Sequence, residues 1–508
     1  MAVKKPWIKL KPYQFFLKIH RWAGLTAVLW LTLLCITGII LDHPEWRWSA
    51  QTATPAEWSS TRVARIAPAT IMRYIAVNAE ETRFVGASER GLWYSDDRGA
   101  TWNDVEFEGV SGTPQVKRML GSHTGDLNQL VLATDDGLWQ VQEYGLSARR
   151  LGLEGQFVSS VSDGPDEDTL LAVVSETDLV LFNTTSARAS PISIKANVAG
   201  LSEKLPFYRV MMDLHFGHGT LPGAGSLWLN DIAGFAMIIL GITGVLSWWL
   251  PKRWKKNKTP GSKRQKIYRW LFRGHAPIIG FVALIPMLIV TTTAIPMNHI
   301  LDFIPWSRGM EVERASLPPA YQATSFGHTI RGAVAFPGEP NRLMMTTRFG
   351  ILESADGGSS WQVQSSLPLP PSMNMTGGGL FRVGDRVFAA FSGGRNFWRR
   401  DGEMDWHKIE GPQRAITAAA RADDGIWYVK NSKAIFRGSF AEGAEPMVES
   451  GVSFRNAAPG TPFYLFAADV HAGVIFHDDW GFFNDVITIM AILLALSGPI
   501  IWLRKKWL

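Results

Sequence analysis

The sequence holds a single cysteine, Cys35, among 508 residues. No intrachain disulfide can form, and neither a thiolate metal cage nor a C-x-x-C redox pair can be assembled. Any domain outside a reducing compartment must therefore hold by packing alone. Acidic residues are missing from three places where basic ones crowd: residues 1–41, 251–274 and 504–508. No glycine-rich dinucleotide fingerprint follows a strand pattern, which argues against a nicotinamide-binding donor domain within this chain.

Apolar and aromatic residues are plentiful, with 46% hydrophobic residues, 22 Trp and 27 Phe. They gather into four runs, Phe16–Leu41, Leu229–Leu250, Ala276–Met297 and Val486–Leu503. Each is long enough to cross about 30 Å of hydrocarbon as a helix, so the pattern predicts four transmembrane helices. Trp22, Trp248, Trp249, Trp270 and Trp502 stand at run ends, where an interfacial belt is expected. The first run is longer than a signal-peptide core and reads as a retained span. Short Lys/Arg-rich segments stay on the cytoplasmic side. Both termini and the central linker are then expected inside, and two long, net acidic loops outside. The basic patches suit anionic lipid better than nucleic acid.

The chain therefore divides into 1–43, the N-terminus and first span; 44–212, a first outer half; 213–250, the second span with its preceding segment; 251–274, a basic linker; 275–299, the third span; 300–468, a second outer half; and 469–508, the fourth span and C-terminus. These parts repeat with a period of about 256 residues. His20 and His275 open the first and third spans, and His43 and His299 lie just beyond them. Asp213-Leu214-His215 precedes the second span as Asp469-Val470-His471 precedes the fourth. Asn230-Asp231 and Asn484-Asp485 sit where those helices are expected to start, as caps.

The outer loops repeat too. Ser95, Asp97, Gly99, Thr101 and Trp102 form an S-x-D-x-G-x-T-W pattern, repeated as Ser354, Asp356, Gly358, Ser360 and Trp361. This resembles the Asp box of sialidase-type β-propellers, a turn in which Asp and Ser/Thr tie the backbone above a packed Trp. Alternating apolar stretches between such turns read as strands, and each loop is long enough for three or four blades. A glycosidase would need clustered arginines, a Tyr nucleophile and paired carboxylates, which assemble at no convincing spacing; the box reads as structure. The expected fold is a four-helix transmembrane bundle from an internal duplication, capped by one all-β propeller-like body built from both loops. The Asp boxes are expected on opposite sides of that body.

Six of the eleven histidines make three matched pairs: His20/His275, His43/His299 and His215/His471. Parallel halves imply a pseudo-two-fold axis along the membrane normal, with equivalent histidines facing across it. Two opposed imidazoles suit a six-coordinate b-type haem; one cysteine cannot supply covalent attachment. From His20 to His43 a helix rises about 34 Å, so two haem b groups are expected, one near His20/His275. The outer one has His215/His471 or His43/His299 as ligands, and pairing within a half remains open. His218 and His477 share no repeat register and read as incidental. His123, His328 and His407 read as surface or turn residues.

The H-R-W-x-G at His20, Thr37-Gly38, D-L-H-x-G from Asp213, N-D-x-x-G from Asn230 and Thr243-Gly244 resemble the PepSY-associated transmembrane-helix family. In the second half His275 lacks the Arg-Trp, and Ser497-Gly498 replaces the last T-G. The resemblance implies a multi-pass protein of the bacterial inner membrane with periplasmic domains and b-type haem. It also implies reduction of an extracytoplasmic acceptor, ferric siderophore, fed by an unidentified cytoplasmic or membrane donor. The propeller-like loops depart from the small domains of that family. The competing expectation is a membrane-anchored propeller that binds a ligand or protein partner without catalysis.

Overall fold

The computed structural model describes residues 12–43, 46–55, 58, 74–78, 80, 82–88, 91–97, 101–121, 126–256, 261–369, 378–391, 395–409, 418–419, 426–430, 435–439, 448–449 and 461–507. Gly99 and His123 lie outside them.

The apolar runs form the longest helices, because a segment without interior charges satisfies its own backbone groups in hydrocarbon. These are α1 (Pro12–Asp42), α3 (Gly225–Lys256) and α7 (Gly481–Trp507). Short helices α2 (Phe207–His215) and α6 (Phe463–Ala472) precede α3 and α7. Leu29, Val282, Ile285 and Phe482 stay exposed on the helix surfaces, the outward apolar face that a lipid-bathed chain presents. Among the described residues, three helices are long and apolar enough to cross a membrane on their own.

The third run departs from a straight span. α4 (Gly261–Arg273) passes into a π-helical turn at Gly274–Gly280, and α5 (Leu284–Asn298) follows. The two parts meet at 68°, and a fourth span exists where this bent pair crosses as one. Pro277 supplies no N–H to the ladder within the π turn, and the bend follows it, between Gly280 and Leu284. The same π turn carries His275.

Outside the helices, the described residues form six sheets of four or five strands, mostly antiparallel, in chain order. The first three belong to residues before α2: Tyr74–Asp104, Glu106–Gly152 and Val158–Ile192. The last three lie between α5 and α6: Gly332–Val363, Gly378–Lys408 and Ala418–Glu449. The first strand of each of the first four sheets, counted from Val116 in the second, lies beside the first strand of the next, and Ala418–Ala419 of the sixth lies beside Tyr74–Val77 of the first. Apolar cores fill the gaps between sheets rather than lying within any one. Leu171, Val173 and Leu179 of the third sheet pack with Leu343, Met345 and Trp361 of the fourth.

That core joins the two halves of the sequence, and strands cross between them as well. Val198–Ala199 adds to the fourth sheet beside Trp361–Val363. Lys204–Pro206, where the first outer half ends, pairs with Glu311–Glu313, where the second begins. Ala53–Thr54 likewise pairs with Thr461–Pro462. The outer halves are thus stitched at both membrane-proximal ends.

Both Asp boxes are structural turns. Asp97 accepts from Ser95 Oγ at 2.8 Å, the Thr101 N–H at 2.8 Å and Thr101 Oγ1 at 2.7 Å. Asp356 accepts the same three bonds from Ser354 and Ser360, at 2.8, 2.9 and 2.6 Å. Trp102 and Trp361 are buried beneath. The boxes occupy the first and fourth sheets, with two sheets between them in chain order.

Two outcomes follow. Residues 44–212 expressed alone leave the third sheet's face bare, at a loss of roughly 1.5–3 kcal/mol per uncovered large side chain. Size-exclusion and thermal melts should show an aggregating, non-cooperative fragment; a monomer with a sharp melt would contradict the shared core. The three bonds hold the Asp356 carboxyl at about 2, below its usual 3.8. Its stabilisation is present above about pH 4 and lost as pH falls toward 2. Asp356→Asn should lower the melting temperature at pH 7, with the difference from wild type vanishing near pH 2.

Candidate functional site

Four histidines share one arrangement. His20 Nδ1 lies 2.9 Å from Ser497 Oγ, His275 Nδ1 2.9 Å from Thr243 Oγ1, His471 Nδ1 2.9 Å from Thr37 Oγ1, and His215 Nδ1 3.2 Å from Thr293 Oγ1. Every one of these contacts joins one half of the duplication to the other. The threonine hydrogens are already directed at carbonyls one turn back, Leu33 at 2.8 Å, Ile239 at 2.7 Å and Ile289 at 2.7 Å. Each hydroxyl therefore accepts from the ring, Nδ1 carries the proton, and Nε2 presents its lone pair. Glycine follows three of the four hydroxyls, and there the ring passes at van der Waals distance. A Cβ at Gly38, Gly244 or Gly498 would stand 3.4, 3.4 or 3.7 Å from the Cε1 of His471, His275 or His20.

One pair of rings is in direct contact. His20 and His275 have centroids 6.2 Å apart and planes at 89°. His215 and His471 are the second, repeat-related pair, each in the last turn of its short helix. Ring positions at the second pair are fixed from the backbone side. Asn230 Nδ2 donates to the His215 carbonyl at 2.9 Å, and Asn484 Nδ2 to the His471 carbonyl at 3.1 Å. These asparagines do not cap: α3 and α7 begin earlier, at Gly225 and Gly481, so the side chains reach sideways instead. Two residues after His215 and after His471 the chain turns at a left-handed glycine, Gly217 with φ 70° and Gly473 with φ 77°. A Cβ at Gly473 would strike Trp480 at 1.9 Å.

His43 and His299 follow a different pattern. His43 Nε2 meets Asp231 Oδ2 at 3.0 Å and stacks on Trp46, and His299 Nε2 meets Asp485 Oδ2 at 2.6 Å. Each partner belongs to the same half, so this pair does not share the cross-half arrangement. The aspartates expected as caps bind these rings.

Asp213, two residues before His215, is buried between Arg209 at 2.9 Å and Arg348 at 3.1 Å. Burial is the largest single effect and pushes its carboxyl up, but these cations and the Arg209 hydrogen bond together outweigh it and hold the carboxyl below the usual range. Arg348 ties the fourth sheet to α2, since it also donates to the His218 carbonyl.

Among the described residues, no three His, Cys, Asp or Glu side chains converge as a metal cage. What the geometry offers instead is paired imidazoles with outward lone pairs. Ser497, Thr243, Thr37, Thr293, Asn230, Asn484 and Arg348 acquire roles that the sequence alone did not assign. The T-G and S-G dipeptides were the visible signal for the first three; Thr293, followed by Ala294, and Arg348 carried none.

Residues 17–505 match the PepSY-associated TM region family. The search of curated proteins found no match. Among solved structures, an ancestral GH74 enzyme is similar with 8% identity and TM-score 0.31, over 75% of this chain and 39% of that one. The extracellular domain of a putative one-component system from B. thetaiotaomicron is similar with 10% identity and TM-score 0.34, over 75% and 33%. The GH74 xyloglucanase of Xanthomonas campestris gives 12% and 0.27, over 75% and 52%. The chain spans about a third of the length of the first structures it matches.

Removing Asp213 leaves two buried guanidiniums facing each other. Asp213→Ala should destabilise the protein by about 3–5 kcal/mol, read as a lowered melting temperature in detergent. A melt within a degree of wild type would contradict the ion cluster.

Proposed function

The chain belongs to the PepSY-associated TM region family, and on that premise we propose that it is a haem-binding oxidoreductase of the bacterial inner membrane that reduces an acceptor on the periplasmic side. The acceptor class is ferric siderophore. The observation that carries this reading is the pairing of rings whose Nδ1 atoms are tied back to hydroxyls across the halves. A metal ion between two imidazole nitrogens, at about 2 Å from each, separates ring centres by roughly 6 Å; His20 and His275 stand at 6.2 Å. With no third side chain converging among the described residues, a porphyrin is the natural source of the four remaining ligands.

His20 and His275 would hold one haem b, and His215 and His471 a second. When bound, haem supplies reversible one-electron chemistry. The chain's own residues do the rest. Thr37, Thr243, Thr293 and Ser497 fix the tautomer, which makes Nε2 a better donor. Asn230 and Asn484 set the height of the outer rings, and the apolar helices exclude water. His20 and Thr37 mark the two levels on α1, about 25 Å apart along the helix, too far for one group to serve both. His43 and His299 have no ligand role in this reading, because each Nε2 is engaged by a carboxylate.

The third run counts as a span in this reading, giving four. The basic patches place both termini and the linker in the cytoplasm. The six sheets are then periplasmic blades of one closed propeller standing over the His215/His471 end.

The test is a reduced-minus-oxidised visible spectrum of the purified protein, its point variants, and their ferric-siderophore reduction. His215→Ala should remove about half of the haem and abolish reduction, whereas His43→Ala should keep its full haem content. A colourless wild type made with ample haem, or a loss confined to His43→Ala, would contradict the assignment.

A further inference from the structure

A small polar pocket opens where the fourth sheet meets the end of α2. His218, His328, Thr324, Ser325 and Arg348 line it. The Arg348 side chain is 7% exposed, with its guanidinium over the Tyr321 ring at 4.8 Å, and its donors reach Asp213 and the His218 carbonyl. Asp213 is shared by two guanidiniums, Arg209 and Arg348, and Arg314 is near enough to Arg348 for their charges to repel. The floor of the pocket is therefore electropositive, and two imidazoles and two hydroxyls at its walls add hydrogen-bond donors. The duplication does not account for it. Both halves carry the paired histidines, the asparagine and the left-handed glycine, whereas Val474 stands at the position equivalent to His218.

We propose that this pocket binds a small carboxylate-bearing ligand; resting on the reductase reading above, that ligand is the carboxylate arm of the ferric chelate presented as acceptor. Charge-assisted bonds to carboxylate are the strongest that such a donor set can make. A cation is disfavoured by the arginines beneath. The place suits an acceptor: His218 is three residues from His215, at most about 10 Å of extended chain. A ligand seated here lies against the end of the helix that carries an outer ring.

The experiment titrates citrate into the full-length protein in detergent by calorimetry. The comparison is with His218→Gln and His328→Asn; asparagine suits the left-handed backbone at His328, φ 53°. Saturable binding to wild type, weakened about tenfold in each variant with melting temperature and visible spectrum unchanged, is the expected result. Absence of citrate binding to wild type, unchanged affinity in both variants, or Zn²⁺ bound more tightly than citrate and lost in the same variants would overturn it. Because citrate binding needs no redox activity, a haem-free protein that still binds citrate through these histidines keeps the carboxylate site and removes only its acceptor role.

Discussion

One hydrogen bond, made four times, organises the membrane part: imidazole Nδ1 to a hydroxyl carried by the opposite half of the duplication. Each is worth only about 0.5–1.5 kcal/mol net, so its importance is geometric. The hydroxyl hydrogen is held by a carbonyl of its own helix, which leaves an acceptor for the ring and fixes the proton on Nδ1. His20 to Ser497 and His275 to Thr243 clamp α1 to α7 and the π turn to α3. His471 to Thr37 and His215 to Thr293 dock α6 on α1 and α2 on α5. Helix packing and ring orientation are thus set by the same atoms.

The outer sheets obey the same exchange between halves. Lys204–Pro206 with Glu311–Glu313, and Ala53–Thr54 with Thr461–Pro462, pair the end of one loop with the beginning of the other. The core holding Leu171 and Trp361 belongs to neither half alone. A cap joined in this way cannot rotate freely over the helices. Arg348 extends the constraint downward, from the fourth sheet to Asp213 on the short helix that ends in His215.

Features carried by local chemistry were legible in the sequence. The apolar runs announced α1, α3 and α7, and the S-x-D-x-G-x-T-W pattern announced turns whose bonds match in both copies. The duplication made His20/His275 and His215/His471 visible as pairs before any coordinates. Features set by tertiary geometry were not. The 68° bend in the third run lies between Gly280 and Leu284, and proline content alone does not fix its angle. Asn230-Asp231 and Asn484-Asp485 looked like caps because their helices seemed to begin later; their partners, the His215 and His471 carbonyls and the His43 and His299 rings, are remote in sequence. Nothing in the sequence around Thr293 or Arg348 marks them, since both act through residues about eighty or more positions away.

The central claim is that two pairs of imidazoles, each ring tied back through Nδ1, present Nε2 atoms to two metal centres. Low-temperature electron paramagnetic resonance of the air-oxidised full-length protein, with haem quantified on the same sample, addresses it directly. The account predicts two low-spin ferric signals of bis-imidazole type, one lost in His20→Ala and the other in His471→Ala. A high-spin spectrum, a single centre insensitive to either substitution, or the absence of haem would contradict it.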